Sequence, residues 1–456
     1  MRNFHKVVAE ILEFSAKGGS AFGMTTGNIF NQRVYYMKKE IYLDHAATTY
    51  IDERVLEAMR PYFCVEFGNP SSMYRAGLRA KDAIDTARSR IAKILQCKAD
   101  EIIFTGSGTE SDNLAILGIA KAHAQHGKHI IISAIEHHAV LHTAEALKKE
   151  GFELTLVPVA EDGIVNPGDV KKALRPDTIL VSIMYANNEI GTIQPIHEIG
   201  RIIKESRNGK TLLPYFHTDA CQAAGALNMD VHYLGADLLT FNGSKIYGPK
   251  GIGALFIRQG VRLEPIVYGG GQEKGLRSGT ENTALIVGLA RALEIAHEER
   301  ETENKRLTCL RDYFISEVEN RIPKAILNGH RTKRLPNNVN ITFLDVEGEA
   351  VLLYLDNEGI SVSTGSACTS TTLDPSHVIL ALGVPYEYAH GSIRFSFGRK
   401  TTKEDLDFVL GVLPNIIQKL RDISPVRIEI GQKEVSHPEA FAGQGSKIKV
   451  GGKTYK

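Results

Sequence analysis

Two hydrophobic periods run through this chain. Within Ala80–Leu95, Ile84, Ala87, Ile91 and Leu95 recur at helical spacing and predict a helix over 80–95. Asp52–Met59 reads as a second helix opening on an acidic first turn. Short apolar runs over 101–105, 129–135, 178–185, 215–217 and 237–241 read as strands, and segments 111–123, 198–205 and 281–296 as helices among them. Thr178–Tyr185 is nearly continuous in its apolar residues, as a central parallel strand covered on both faces must be. The pattern is that of an α/β protein with an open, mostly parallel sheet. Farther on, Leu307, Leu310, Phe314 and Val318 make 298–319 an amphipathic helix. Strands over 336–343 and 360–363, a helix over 347–357 and a last helix over 402–422 suggest a smaller domain.

Composition narrows this little. With 456 residues there is room for two or three packed domains, and a net charge of +1 argues for neither nucleic acid nor a membrane surface as partner. No apolar run approaches the roughly 20 residues of a membrane helix. Cys64, Cys97, Cys221, Cys309 and Cys368 are scattered, with no CxxC pair, which fits free thiols in a reducing, cytoplasmic setting. In residues 1–36, Gly18, Gly19 and Gly27 break a short helical pattern and no signal-peptide core is present; Glu10 and Glu13 argue against a mitochondrial presequence. Beyond Pro425 the chain becomes Gly-rich and basic, and 425–456 reads as a mobile tail. His123, His126 and His129 lack a Cys or acid at ligand spacing, so they read as a solvated face, and no metal site is expected.

The chemistry concentrates where strands end. The run 215–217 leads to Asp219, and the run 237–241 leads through Asn242-Gly243-Ser244 to Lys245. Open α/β sheets bind ligands outside the carboxyl ends of their strands. A carboxylate and an amine there suit pyridoxal 5'-phosphate: the amine forms a Schiff base with the aldehyde, and the acid keeps the ring nitrogen protonated. Gly106-Ser107-Gly108-Thr109-Glu110, small residues opening a helix, make an anion nest suited to a phosphate. His137 at a strand end can stack on a flat ring and move a proton, whereas His138 and Cys221 read as a surface and a packed residue. Residues 269–280 hold five glycines, a loop that passes close to something, with Thr280 expected to cap the following helix. Cys368, in Gly365-Ser366-Ala367-Cys368-Thr369-Ser370, sits in small, polar company that favours exposure.

The motifs HTDACQAAG, SKIYGPKGIG, RSGTEN, STGSACTS and SIRFSFGR, in that order, closely resemble the pyridoxal-phosphate-dependent cysteine desulfurases of the NifS/IscS type, within the class V aminotransferases, over about Ile41–Ser424. The resemblance implies fold type I: a large cofactor-binding domain over 52–298, and a smaller α+β domain formed by 37–51 with 299–424 that carries the cysteine loop. It implies that Lys245 holds the cofactor, that Asp219 meets its ring nitrogen and His137 its face, and that Gly108, Thr109 and Ser244 meet its phosphate. Asn188 and Gln222 match contacts to the ring oxygen, and Arg394, with Asn188, matches the grip on the substrate carboxylate. Thr280 matches a residue that reaches the neighbouring subunit's phosphate, which implies a homodimer. Cys368 matches the nucleophile that takes sulfur from L-cysteine as a persulfide, leaving L-alanine and passing the sulfur to an iron–sulfur scaffold protein and, for tRNA thiolation, to other acceptors. Two departures stand out: Ser244 replaces a usual His before the lysine, and Tyr74 replaces another. A selenocysteine lyase or another aminotransferase-family enzyme is the rival reading. A non-catalytic scaffold-binding partner, supported only by those two departures, is the rival of another class.

Overall fold

The computed structural model describes residues 40–207, 212–364 and 375–424, and the backbone of two short paired strands, Ile448–Val450 and Lys453–Tyr455. The 1–36 extension and most of the expected tail lie outside the described residues, as does Cys368.

A seven-stranded sheet is built from β2 (Ile102–Thr105), β3 (His129–Ser133), β4 (Glu153–Val157), β5 (Thr178–Ser182), β6 (Tyr215–Asp219), β7 (Leu238–Asn242) and β8 (Gly253–Ile257); β1 (Ile41–Tyr42) lies elsewhere. The order is β2-β8-β7-β6-β5-β3-β4. Only β8 runs against its neighbours β2 and β7; the other pairs are parallel. Successive side chains on a strand point to opposite faces, so each central strand buries apolar side chains on both faces of the sheet. Ile131, Val181, Phe216, Leu239 and Phe256 pack on one face, with the helix Arg75–Leu95. Ile130, Ile132, Leu180, Leu238 and Leu255 pack on the other, under the helices Gly108–His123 and His138–Leu147. This double covering is why the strands read as unbroken apolar runs.

A second core surrounds a small antiparallel sheet of β9 (Ala325–Leu327), β10 (Asn338–Phe343) and β12 (Ser392–Ser396), in the order β12-β10-β9. The helices Gly348–Asn357 and Lys403–Ile423 cover it, and Ile41 and Leu43 join it through the pairing of β1 with β11 (Ile360–Ser361).

One helix serves both cores. The segments expected as separate helices over 281–296 and 298–319 form a single 39-residue helix, Thr283–Arg321. At 1.5 Å per residue it is about 58 Å long. No Gly or Pro interrupts His297–Arg300, so nothing stops the helix there. Its cap is Asn282, whose side chain accepts from the Leu285 N–H at 3.2 Å, and not Thr280, which stays exposed before the helix.

Candidate active site

Strands β6 and β7 are parallel neighbours, with Asp219 opposite Thr240, so their ends open side by side. Asp219 is buried at the end of β6, where its Oδ1 accepts from the Cys221 N–H at 2.8 Å. Past β7 the chain turns in one 3-10 turn, Gly243–Lys245. The Lys245 Nζ donates to the carbonyls of Ala46 at 2.8 Å and Ala47 at 2.5 Å. Among the described residues no carboxylate pairs with it. Burial pushes its pKa below that of a free lysine, which favours the neutral amine.

The segment that supplies those carbonyls is bound to the same turn. Thr49 donates to the Ser244 carbonyl through its N–H at 2.8 Å and its hydroxyl at 3.0 Å. Gln222 Nε2 donates to the Ala46 carbonyl at 3.0 Å.

The helix beyond β2 starts at Gly108, three residues earlier than its apolar pattern suggested, because Ser107 caps it by accepting from the Glu110 N–H at 3.1 Å. The N–H groups of Gly108 and Thr109 lie in its first turn, where no intrahelical acceptor exists. A Cβ on Gly108 would stand 2.7 Å from the Cys221 sulfur and 3.2 Å from Asn242 Nδ2, so only glycine brings this helix start so close to the strand ends. Cys221 is packed there, as its position suggested, and burial pushes its thiol well above the usual range.

His137 caps the helix His138–Leu147, its Nδ1 accepting from the Ala139 N–H at 3.1 Å. That bond fixes the neutral tautomer with the proton on Nε2, and burial keeps the ring neutral by lowering its pKa. Polar atoms of His137, Asp219 and Asp112 all lie within 4.8 Å of one another.

Of the two asparagines after β5, Asn187 is committed to the fold: its side chain donates to the Ile135 carbonyl at 2.9 Å and accepts from the N–H groups of Glu189 and Ile190. The side chain of Asn188 makes no hydrogen bond among the described residues. Its carbonyl accepts from Arg394 Nη1 at 3.1 Å. Arg394, 3% exposed, also pairs through Nη2 with Asp44 at 2.7 Å, and its Nε has no partner.

The chain on either side of residues 365–374 is fixed beside these groups. Ser363 exchanges backbone hydrogen bonds with Arg394, at 2.7 and 3.2 Å. Ser376 donates to Glu189 Oε2 at 2.5 Å, and His377 Nε2 lies 3.0 Å from the Glu136 carbonyl.

Three sequence readings change. His123 and His129 are not a solvated face: His123 bonds to the Arg262 carbonyl at 3.0 Å, and fully buried His129 lies 2.8 Å from both Thr178 and Thr155 hydroxyls. His138 is half-buried, 4.8 Å from the His377 ring and 4.7 Å from that of His142. Sequence reasoning also missed Asp44, Asp112, Glu136 and Glu189. Asp112 had a signal, since it stands one helical turn after Gly108 and shares its face.

The residues present fit pyridoxal phosphate: a half-buried amine with no acid partner among the described residues, a carboxylate on the adjacent strand end, and a helix start that only glycine allows so close.

Residues 41–409 match the Aminotransferase class-V family. The chain is 56% identical over 393 residues to the cysteine desulfurase IscS of Dictyoglomus turgidum, an alignment covering 86% of this chain and 98% of that protein. It is 53% identical over 403 residues to the IscS of Methanosarcina thermophila, covering 88% and 98%. Among solved structures, a NifS-like protein superposes with a TM-score of 0.78 at 38% identity, covering 84% of this chain and all of the other. A second, SspA in complex with cysteine, gives 0.68 at 36% identity, covering 78% and 98%. With its mixed, mostly parallel sheet and this site at the strand ends, the chain belongs to the class V aminotransferase family and, within it, to the cysteine desulfurases.

Proposed function

We propose that the site takes L-cysteine, with pyridoxal phosphate held covalently by Lys245, and that its sulfur leaves as a persulfide on Cys368. The observation that carries this reading is Lys245 itself: half-buried, shifted toward the neutral amine, bonded among the described residues to two carbonyls, and beside Asp219. Asp219 meets the ring nitrogen, His137 the ring face, Gln222 and Asn188 the ring oxygen, and Gly108, Thr109 and Ser244 the phosphate. Bound there, the cofactor supplies an electron-poor ring that acidifies the Cα of the attached amino acid. Lys245, freed as an amine, takes the Cα proton. The neutral His137 holds a proton on Nε2 that it can hand on. Arg394 grips the substrate carboxylate with the fork it now lends Asp44, and Asn188 supports it. The Cys368 thiolate attacks the substrate sulfur; the new S–S bond forms as the substrate Cβ–S bond breaks, and the electron pair left on Cβ is protonated to give L-alanine.

Support for cysteine as substrate comes from the names of the relatives and from the neighbour solved with cysteine. A homodimer is favoured by an exposed apolar set, Phe63, Val65, Phe67, Met73 and Tyr268, of which Met73 is 93% exposed. Across that contact Thr280 serves the partner's phosphate. The persulfide sulfur passes to an iron–sulfur scaffold protein and, for tRNA thiolation, to further acceptors, in the cytoplasm. No helix among the described residues is long and apolar enough to cross a membrane.

The test is borohydride reduction of the yellow protein followed by peptide mapping. The pyridoxyl label should sit on Lys245, and Lys245→Ala should lose it along with about three orders of magnitude in rate. A label on another lysine ends this reading.

A further inference from the structure

Behind Asp219 the fold buries more acid than the proposed chemistry uses. Asp112 lies on the helix Gly108–His123, 1% exposed, and its Oδ1 has no hydrogen-bond partner among the described residues. It shares the space of Asp219 and His137, the polar atoms of all three lying within 4.8 Å. The side chain facing Oδ1 is His217, whose Nε2 is 3.6 Å away. That ring is already engaged: Nε2 lies 3.1 Å from the Thr240 hydroxyl, and Nδ1 lies 2.8 Å from the Ser182 hydroxyl.

Among the described residues no Lys or Arg forms an ion pair with Asp112 or Asp219. His217 and Asp219 face Asp112 from β6, Thr240 from β7, Glu136 and His137 from the turn after β3, and Cys221 from beyond β6. Burial drives His217 down to about 4 and lowers His137, so both rings are neutral near pH 7. Burial pushes Glu136 up to about 8, so it too is mostly uncharged. Lys245 is committed to the Ala46 and Ala47 carbonyls. No Lys or Arg pairs with Asp112 among the described residues. Two carboxylates this close in a dry site do not both ionise; one keeps its proton. Asp112 is the more enclosed of the two, and burial together with the neighbouring Asp219 raises its pKa well above the usual range.

We propose that Asp112 is a positioning residue held as a neutral carboxylic acid, so that the Asp112–Asp219 pair carries one negative charge and that charge stays on Asp219. The proposal rests on the reading that Asp219 meets the cofactor's ring nitrogen. A neutral Asp112 adds no second charge beside Asp219. An ionised Asp112 would compete with Asp219 for the ring-nitrogen proton.

Infrared spectroscopy tests this directly, because a protonated carboxyl has its own C=O stretch. The holoenzyme and the cofactor-free protein, near neutral pH, should each show such a band that shifts on 13C-aspartate labelling and is absent in Asp112→Asn. The labelling separates Asp112 from Glu136 and needs no variant. Asp112→Asn, which keeps shape and a donor without charge, should bind pyridoxal phosphate within about threefold of wild type. Asp112→Ala should weaken it by about tenfold or more, because it empties the buried space that positions Asp219. Absence of an aspartate-dependent acid band overturns the proposal, as does an Asp112→Asn variant that folds yet loses as much affinity as Asp112→Ala. Failure of the functional reading looks different: no borohydride label appears on Lys245, while the acid band persists in the cofactor-free protein.

Discussion

Arg394 shows how single residues are shared between fold and chemistry. Its guanidinium already spends Nη2 on Asp44 and Nη1 on the Asn188 carbonyl, leaving Nε free. In the proposed reading, a substrate carboxylate would compete with Asp44 for this preformed fork. Lysine keeps the charge and loses the fork. Arg394→Lys should raise KM for cysteine about tenfold with a smaller change in kcat. Steady-state kinetics checks this; a change confined to kcat would remove Arg394 from substrate binding. Asp219 and Lys245 could be picked out in the sequence because each follows an apolar run at a strand end, and Arg394 because it sits in a motif that matches the family. Asp44 and Asp112 could not, because what makes them matter is a neighbour far along the chain: Arg394 for the first, His217 and Asp219 for the second. The histidines misled for the same reason. His129 looks like a surface residue until Thr155 and Thr178 arrive from the two flanking strands.

At the scale of elements, the central strands were legible because both of their faces are covered, and the resulting apolar runs leave little to decide. The helix Thr283–Arg321 was harder. Its first half gives Ile286, Leu289 and Leu293 to the larger core, and its second half gives Leu307, Phe314 and Val318 to the smaller one. The apolar stripe changes partners midway, so one helix reads as two. The short helix His377–Ala381 is joined to the site by its cap, Ser376, which donates to Glu189 Oε2. Burial pushes Glu189 up to about 7 from an ordinary 4.5. Its folded pKa is raised, so the native state holds this proton more tightly than the unfolded chain. The associated stability is fully present below about 4.5 and is lost as pH rises to about 7, at most about 3 kcal/mol. Glu189→Gln keeps an acceptor for Ser376 and removes the titration. Melting temperatures measured across that window should fall for wild type relative to the variant. Parallel curves would mean that Glu189 ionises normally.

Across the whole molecule, the site draws on both cores. Segment 44–49 leaves the smaller one to bind the Lys245 turn, and Arg399, from the end of the smaller core's sheet, pairs with Asp52 at 2.6 Å and lies over the Tyr247 ring at 4.4 Å. Phe67 and Met73 are exposed, and in the proposed homodimer a second copy would cover them. Phe67→Asp with Met73→Asp should shift sedimentation from dimer to monomer and weaken cofactor binding by about tenfold, through loss of the partner's Thr280. A wild-type monomer with full cofactor affinity would refute the dimer. The central claim is the path of sulfur through one thiol. Cys221 is buried, and burial pushes Cys97 up to about 12, so neither is a ready thiolate. Cys64 and Cys309 are exposed and are the real competitors for Cys368. The decisive measurement is mass spectrometry of the holoenzyme incubated with L-cysteine without reductant and then digested. One added sulfur, about 32 Da, should map to the Cys368 peptide and vanish in Cys368→Ser, which should still bind cofactor and still change its absorbance with cysteine. Sulfur on Cys64 or Cys309, with turnover retained in Cys368→Ser, would contradict the account.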